Sequence, residues 1–198
     1  MEGLWVHSTL ALTPDGVVQG VLAQEQWTQP VGERGVAARR RDRAIAEKES
    51  CKWLGGLDAT NTAARSCPTT HWIAEGDRAC DIDDVFRRAR EPNVDLAVRA
   101  AQDRALVDDP DAEAEATRLL RARVAARPVG DVRLGGAAAG GTAEIAVRWA
   151  RVEMRPPRSR ADDALPTVTL WAVWAVWAHE QVPPPGVNAL DWGVFHLS

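Results

Sequence analysis

The stretch Thr70 to Phe86, THWIAEGDRACDIDDVF, constrains the fold more than any other in this chain. An apolar run, Trp72-Ile73-Ala74, leads into Gly76 and Asp77, and the apolar-periodic Ile82, Val85 and Phe86 follow. That pattern predicts a strand, a tight connection and a helix. Open α/β sheets place their chemistry beyond the carboxyl ends of strands, so Asp77 is the first candidate metal ligand. A structural role is open to the same acids. Asp81 suits a helix cap, and Asp83 and Asp84 suit the positive end of the helix dipole.

With 198 residues, 45% of them apolar, the chain has material for one cored domain, or for one that carries a smaller insert. Its net charge of −4 gives no global basic field, so any nucleic-acid contact must come from local patches. Three cysteines, Cys51, Cys67 and Cys80, form no CxxC pair, which points away from a disulfide framework or a zinc knuckle. Reduced thiols in a cytosol are expected. The N-terminus lacks the basic-then-apolar pattern of a signal peptide, and no apolar run approaches the roughly 20 residues of a membrane span.

Taken in order, Leu4 to Thr13 and Val17 to Trp27 flank Pro14-Asp15-Gly16, which predicts a β-hairpin. A loop follows, with Arg39-Arg40-Arg41 as a solvated charge run or a phosphate contact. A helix is expected from Glu47, weakened in its middle by Gly55-Gly56 and ended by Pro68. Val94 to Ala100 predicts a strand that ends in Arg99. Glu113 to Ala126 predicts a charged helix, and Thr142 to Met154 a strand preceded by a Gly/Ala-rich loop. Arg155, Arg158 and Arg160 lie in a Pro-bounded basic connection, with phosphate contacts open to them. Residues 167–182 and the segment from Asn188 predict two more strands. The chain therefore reads as an α/β part, 1–127, followed by a mostly β part, 128–198. Trp171, Trp174 and Trp177 recur every third residue, so a flat strand cannot place them all on one face. They are expected in a core or interface.

Several blocks together resemble one family. WVHSTLALTPDGVVQGVLAQEQW (5–27), EKESCKWL (47–54), EGDRACDI (75–82), VDLAVRAAQ (94–102) and LWAVWAHEQVPPPG followed by LDW (170–192, ignoring one WAV unit) resemble, in order and spacing, the DDE transposases of bacterial insertion sequences. The branch is the insertion-sequence-four family of cut-and-paste elements, and the resemblance covers nearly the whole chain. It implies an RNase H-like catalytic domain with an inserted, mostly β subdomain. It also implies a site of two Asp and one Glu that holds two Mg²⁺ or Mn²⁺ ions. Such paired metals, about 4 Å apart, activate the attacking oxygen and stabilise the leaving one in phosphodiester transfer. Nicking at the transposon end, hairpin formation and strand transfer would follow at that site. By the same resemblance Asp77 matches the second catalytic Asp and a metal ligand. Arg99 matches a basic residue near the DNA backbone, and Trp192 a tryptophan that stacks on a flipped base.

The departures are as informative. The family's first Asp is expected upstream of Trp5 and its Glu downstream of Trp192, and this chain supplies neither. Its end-recognition and dimerisation regions have no counterpart here, and Ala101 stands where a Lys would help hold phosphate. The expectation is a fragment with one catalytic carboxylate, inactive alone, that binds DNA weakly in a bacterial cytoplasm near the nucleoid and has no membrane partner. Loss of the strand bearing the first Asp would leave sheet edges unpaired and the chain poorly soluble. A regulator that binds DNA or poisons a full-length transposase is the alternative. A metal-dependent hydrolase centred on Asp77, Asp81, Asp83 and Asp84 is a third reading.

Overall fold

The computed structural model describes residues 4–28, 51–107, 131–134, 143–157, 173–180, 185–186 and 191–198. These form a mixed α/β protein of two compact units. One comprises Met1–Ala74 with Asp84–Val94, the other Glu75–Asp83 with Asp95–Ser198. The helix expected at 113–126, Arg39 to Arg41, Arg158, Arg160 and Trp171 lie outside the described residues.

In the first unit, β1 (Leu4–Leu12) and β2 (Val18–Thr28) pair antiparallel as a sheet of their own. The turn between them closes because Gly16 adopts a φ of 84°, which L side chains avoid. Its N–H donates to the Thr13 carbonyl at 2.8 Å, and the Thr13 N–H to the Val17 carbonyl at 2.9 Å. One hairpin face meets α1 (Cys51–Ser66). There His7 meets Trp53 edge-on at 4.7 Å, and Lys52 Nζ lies 4.8 Å above the Trp27 ring. The opposite face leaves Val6, Leu10, Leu12, Val18 and Val21 exposed.

The buried residues of α1, Gly56, Leu57, Thr60, Asn61 and Ala64, recur at helical spacing and form one stripe. Asn61 is not idle there. Its Nδ2 donates to the Ala89 carbonyl and its Oδ1 accepts the Glu91 N–H, both at 3.0 Å, so one side chain satisfies a loop 28–30 residues away. Past the helix, Asn93 Nδ2 donates to the Thr70 carbonyl at 2.8 Å.

The second sheet has the order β3-β4-β8-β7-β6-β5. Its strands are β3 (Trp72–Gly76), β4 (Val94–Arg99), β5 (Asp131–Leu134), β6 (Ala143–Arg151), β7 (Val173–Glu180) and β8 (Asp191–Leu197). The five strands from β4 to β5 in that order pair antiparallel. Strict alternation in β4 buries Leu96 and Val98, whose partners Leu197 and Phe195 in β8 are buried too. Leu106, Val152 and Met154 add to this core. No described helix is long and apolar enough to cross a membrane.

Three expectations need correction. The Gly/Ala-rich loop expected before Thr142 is preceded by a strand of its own, β5, whose four residues carry too little pattern to register. The strand expected at 142–154 stops at Arg151, and Met154 instead bridges Leu106. The helix after Asp77 is short, α2 (Asp83–Arg87), and the Asp81 carboxylate, expected as its cap, accepts from Ala101, Gln102 and Arg104.

Candidate functional site

Asp77 follows the last residue of β3. Its backbone is extended (φ −74°, ψ −170°), and it caps a single 3-10 turn, Arg78–Cys80. The Ala79 N–H donates to Asp77 Oδ1 at 2.7 Å, and the Cys80 N–H to the Asp77 carbonyl at 3.0 Å. The residue itself is exposed. Asp thus suits this position locally, since its short side chain completes the turn after a strand.

Asp81 ends the 3-10 turn, and its side chain is fully buried. Oδ2 accepts the N–H groups of Ala101 at 2.7 Å and Gln102 at 3.1 Å. Oδ1 accepts Arg104 Nε at 2.7 Å and an Arg104 terminal nitrogen at 2.5 Å. The same guanidinium donates to the Asp81 carbonyl at 2.9 Å. A buried carboxylate is tolerated only when it is so paired.

These bonds order the strand ends. The Trp72 N–H, where β3 begins, donates to the Asn93 carbonyl just before β4. The residues beyond the far ends of both strands meet through Asp81 and Ala101. β3 and β4 therefore run in the same direction. Arg99 is the exposed last residue of β4 and pairs with Val194 of β8. Next to it the Ala100 N–H donates to the Gly193 carbonyl at 2.8 Å. Trp192 precedes Gly193 at the start of β8, which runs the opposite way, and its backbone partner is Ala178 of β7. Asp77, Arg99 and Trp192 thus lie at one end of the sheet, on the neighbouring strands β3, β4 and β8.

Other candidates are not gathered there. Asp81 has both oxygens engaged, so it is not available to the Asp-rich hydrolase centre as an open ligand. Among the described residues, no three His, Cys, Asp or Glu side chains come together as metal ligands. Asp77 by itself does not fit the two-metal arrangement. Cys80 lies between the two aspartates, and burial, then the charges of Asp77 and Asp81, push its thiol from 9.0 up to about 12. At neutral pH it is a protonated core residue and no nucleophile. Ala101, expected as an empty phosphate position, contributes its backbone N–H to Asp81 instead.

Arg104 was missed by sequence reasoning. A single arginine 23 residues beyond its acid, within no motif, carries no pairing signal. No family model matches this chain, and no curated protein matches it.

Proposed function

We propose that this chain is part of an RNase H-like DDE transposase core, whose candidate site meets the sugar-phosphate backbone of DNA in a bacterial cytoplasm. The observation that carries the reading is the placement of Asp77, Arg99 and Trp192 on adjoining strand ends. It brings together an acid, a cation and a flat aromatic residue that the sequence separates by up to 115 positions. Phosphodiester chemistry asks for such a combination, with carboxylate for a hard cation, guanidinium for phosphate and a ring for an unstacked base. In the intact family arrangement two Mg²⁺ or Mn²⁺ ions would supply Lewis acidity, and Asp77 is the residue here suited to share in holding them. Arg99 would pair with a phosphate oxygen, and Trp192 would offer its ring to an extruded base.

The test is binding of a labelled DNA duplex followed by fluorescence anisotropy over a salt series. The expected result is weak, sequence-indifferent binding that falls as salt rises. Arg99→Ala should flatten the salt slope by about 0.9, the contribution of one phosphate contact on B-form DNA. Equal slopes for wild type and Arg99→Ala, or no binding at low salt, would overturn the reading.

A further inference from the structure

Asp81 is an acid of the GDRACDI segment whose side chain touches no solvent. Its partners are informative. They are not the neighbours in its own turn but Ala101, Gln102 and Arg104, 20 to 23 residues on, in the segment that leaves β4. That segment is tied in turn to β8 by the Ala100 N–H on the Gly193 carbonyl. On its other side, Asp81 closes the 3-10 turn that Asp77 opens, through its own N–H on the Arg78 carbonyl at 3.4 Å. A chain of bonds therefore runs from Asp77 through Asp81 to the residues that flank Arg99 and Trp192.

We propose that Asp81, with Arg104, is a positioning residue that locks the Asp77 turn to the ends of β4 and β8, so that these strand ends meet DNA as one rigid edge. The proposal rests on the DNA reading given above. It adds a residue that touches no ligand itself. Charge is essential to the device. A carboxylate accepts from four N–H groups at once, whereas an amide in its place turns an NH₂ toward some of the same donors. Arginine is equally specific, since its planar fork spans Oδ1 and the Asp81 carbonyl together, and a lysine ammonium does not.

Hydrogen exchange read by mass spectrometry on the full chain, without DNA, tests the lock directly. Three variants serve: Asp81→Asn, Arg104→Lys and, as a control ion pair elsewhere, Asp58→Asn. In Asp81→Asn we expect exchange about tenfold faster or more both in peptides covering 77–82 and in those covering 99–104, as for local opening of a hydrogen-bonded unit, with 51–66 unchanged. Arg104→Lys should give a smaller rise in the same two peptides, and Asp58→Asn none there. A rise confined to 99–104 would overturn the proposal, because Asp81 would then secure only its partner loop. If Asp81→Asn speeds exchange everywhere, Arg104→Lys decides by the same two peptides. Anisotropy with a labelled duplex is the second arm. Asp81→Asn should weaken DNA binding as Arg99→Ala does. If wild type and Arg99→Ala bind alike while the exchange pattern is as expected, the DNA reading fails and the lock stands. If DNA binding behaves as expected and the Asp77 turn does not loosen, the lock fails and the DNA reading stands.

Discussion

Two Asp–Arg pairs in this chain look equivalent on paper and differ in what they are worth. Arg88 reaches Asp58 at 2.5 Å, but their side chains are 47% and 45% exposed. Asp58 does raise the pKa of Arg88, yet water and salt screen such a pair and hold its contribution to roughly 0.2–1 kcal/mol. Arg104 and Asp81 are 10% and 0% exposed. Removing one member strands the other charge in the interior, a loss of about 3–5 kcal/mol. Urea unfolding should therefore show Asp81→Ala far less stable than wild type and Asp58→Ala nearly unchanged; similar midpoints for the two would contradict the burial argument. Cys80 adds a pH dependence. Its folded pKa, about 12, exceeds the ordinary 9.0, so the folded state holds this proton where the unfolded state has released it. The resulting stabilisation is complete below about 9 and is lost as pH climbs toward about 12. Alkylation under mildly alkaline, native conditions should label exposed Cys67 well before buried Cys80, and equal rates would show that the core around Cys80 is open.

At the scale of elements, the Gly55-Gly56 pair of α1 tests how packing overrides propensity. Each glycine weakens a helix by about 0.8–1 kcal/mol relative to alanine. A Cβ at Gly56 would stand 2.7 Å from Thr9 Oγ1 on β1, an atom of a stiff β-branched side chain. A Cβ at Gly55 would meet only the far end of Glu25, which swings aside at little cost. We expect Gly55→Ala to be neutral or stabilising by up to about 1 kcal/mol, and Gly56→Ala to destabilise despite its better propensity. Thermal melts of the two single variants decide it, and a stabilising Gly56→Ala would show the hairpin free to shift. This glycine pair also marks what was legible. The hairpin, the stop of α1 before Pro68, β3 and β4 all carry local signals, namely a turn triplet, a breaker and short apolar runs. In the sequence Gly56 is only a weakness in the helix, because its reason lies across space at Thr9. Likewise the pairing of β4 with β8, the short β5 and the Arg104–Asp81 bond join segments far apart in sequence, and no spacing rule reaches them. Asp77 was found because its strand–turn context is local. A structural role for Asp81 is legible in the sequence, but its partners Ala101, Gln102 and Arg104 are not, because they lie 20 to 23 residues on.

For the whole molecule, the two sheets are the starting point. Among the described residues β1 and β2 form a sheet of their own, a two-stranded ribbon with an apolar face. Such edges and faces favour association between chains. Leu10 and Val21 are cross-strand partners on that face, and Leu10→Thr with Val21→Lys should lower the apparent mass at high concentration in light scattering. An unchanged mass would mean that the face is not the cause. Catalysis depends on the whole chain as well. Each hard divalent ion takes about six or more oxygen ligands. Asp77 brings one carboxylate, and its Oδ1 already accepts the Ala79 N–H. Asp81 has no oxygen to spare, and the described residues gather no further group of ligands. Charge that develops on phosphoryl oxygens would then meet too little fixed positive potential, usually the largest single contribution to such catalysis. We therefore expect the 198-residue chain, incubated with supercoiled plasmid and Mg²⁺ or Mn²⁺, to give no nicked product above the protein-free blank. Asp77→Ala should leave that background where it is. Metal-dependent nicking that vanishes in Asp77→Ala would mean that carboxylates elsewhere in the chain, or in a second copy, complete a working site around Asp77, and the expectation of no cleavage would be wrong.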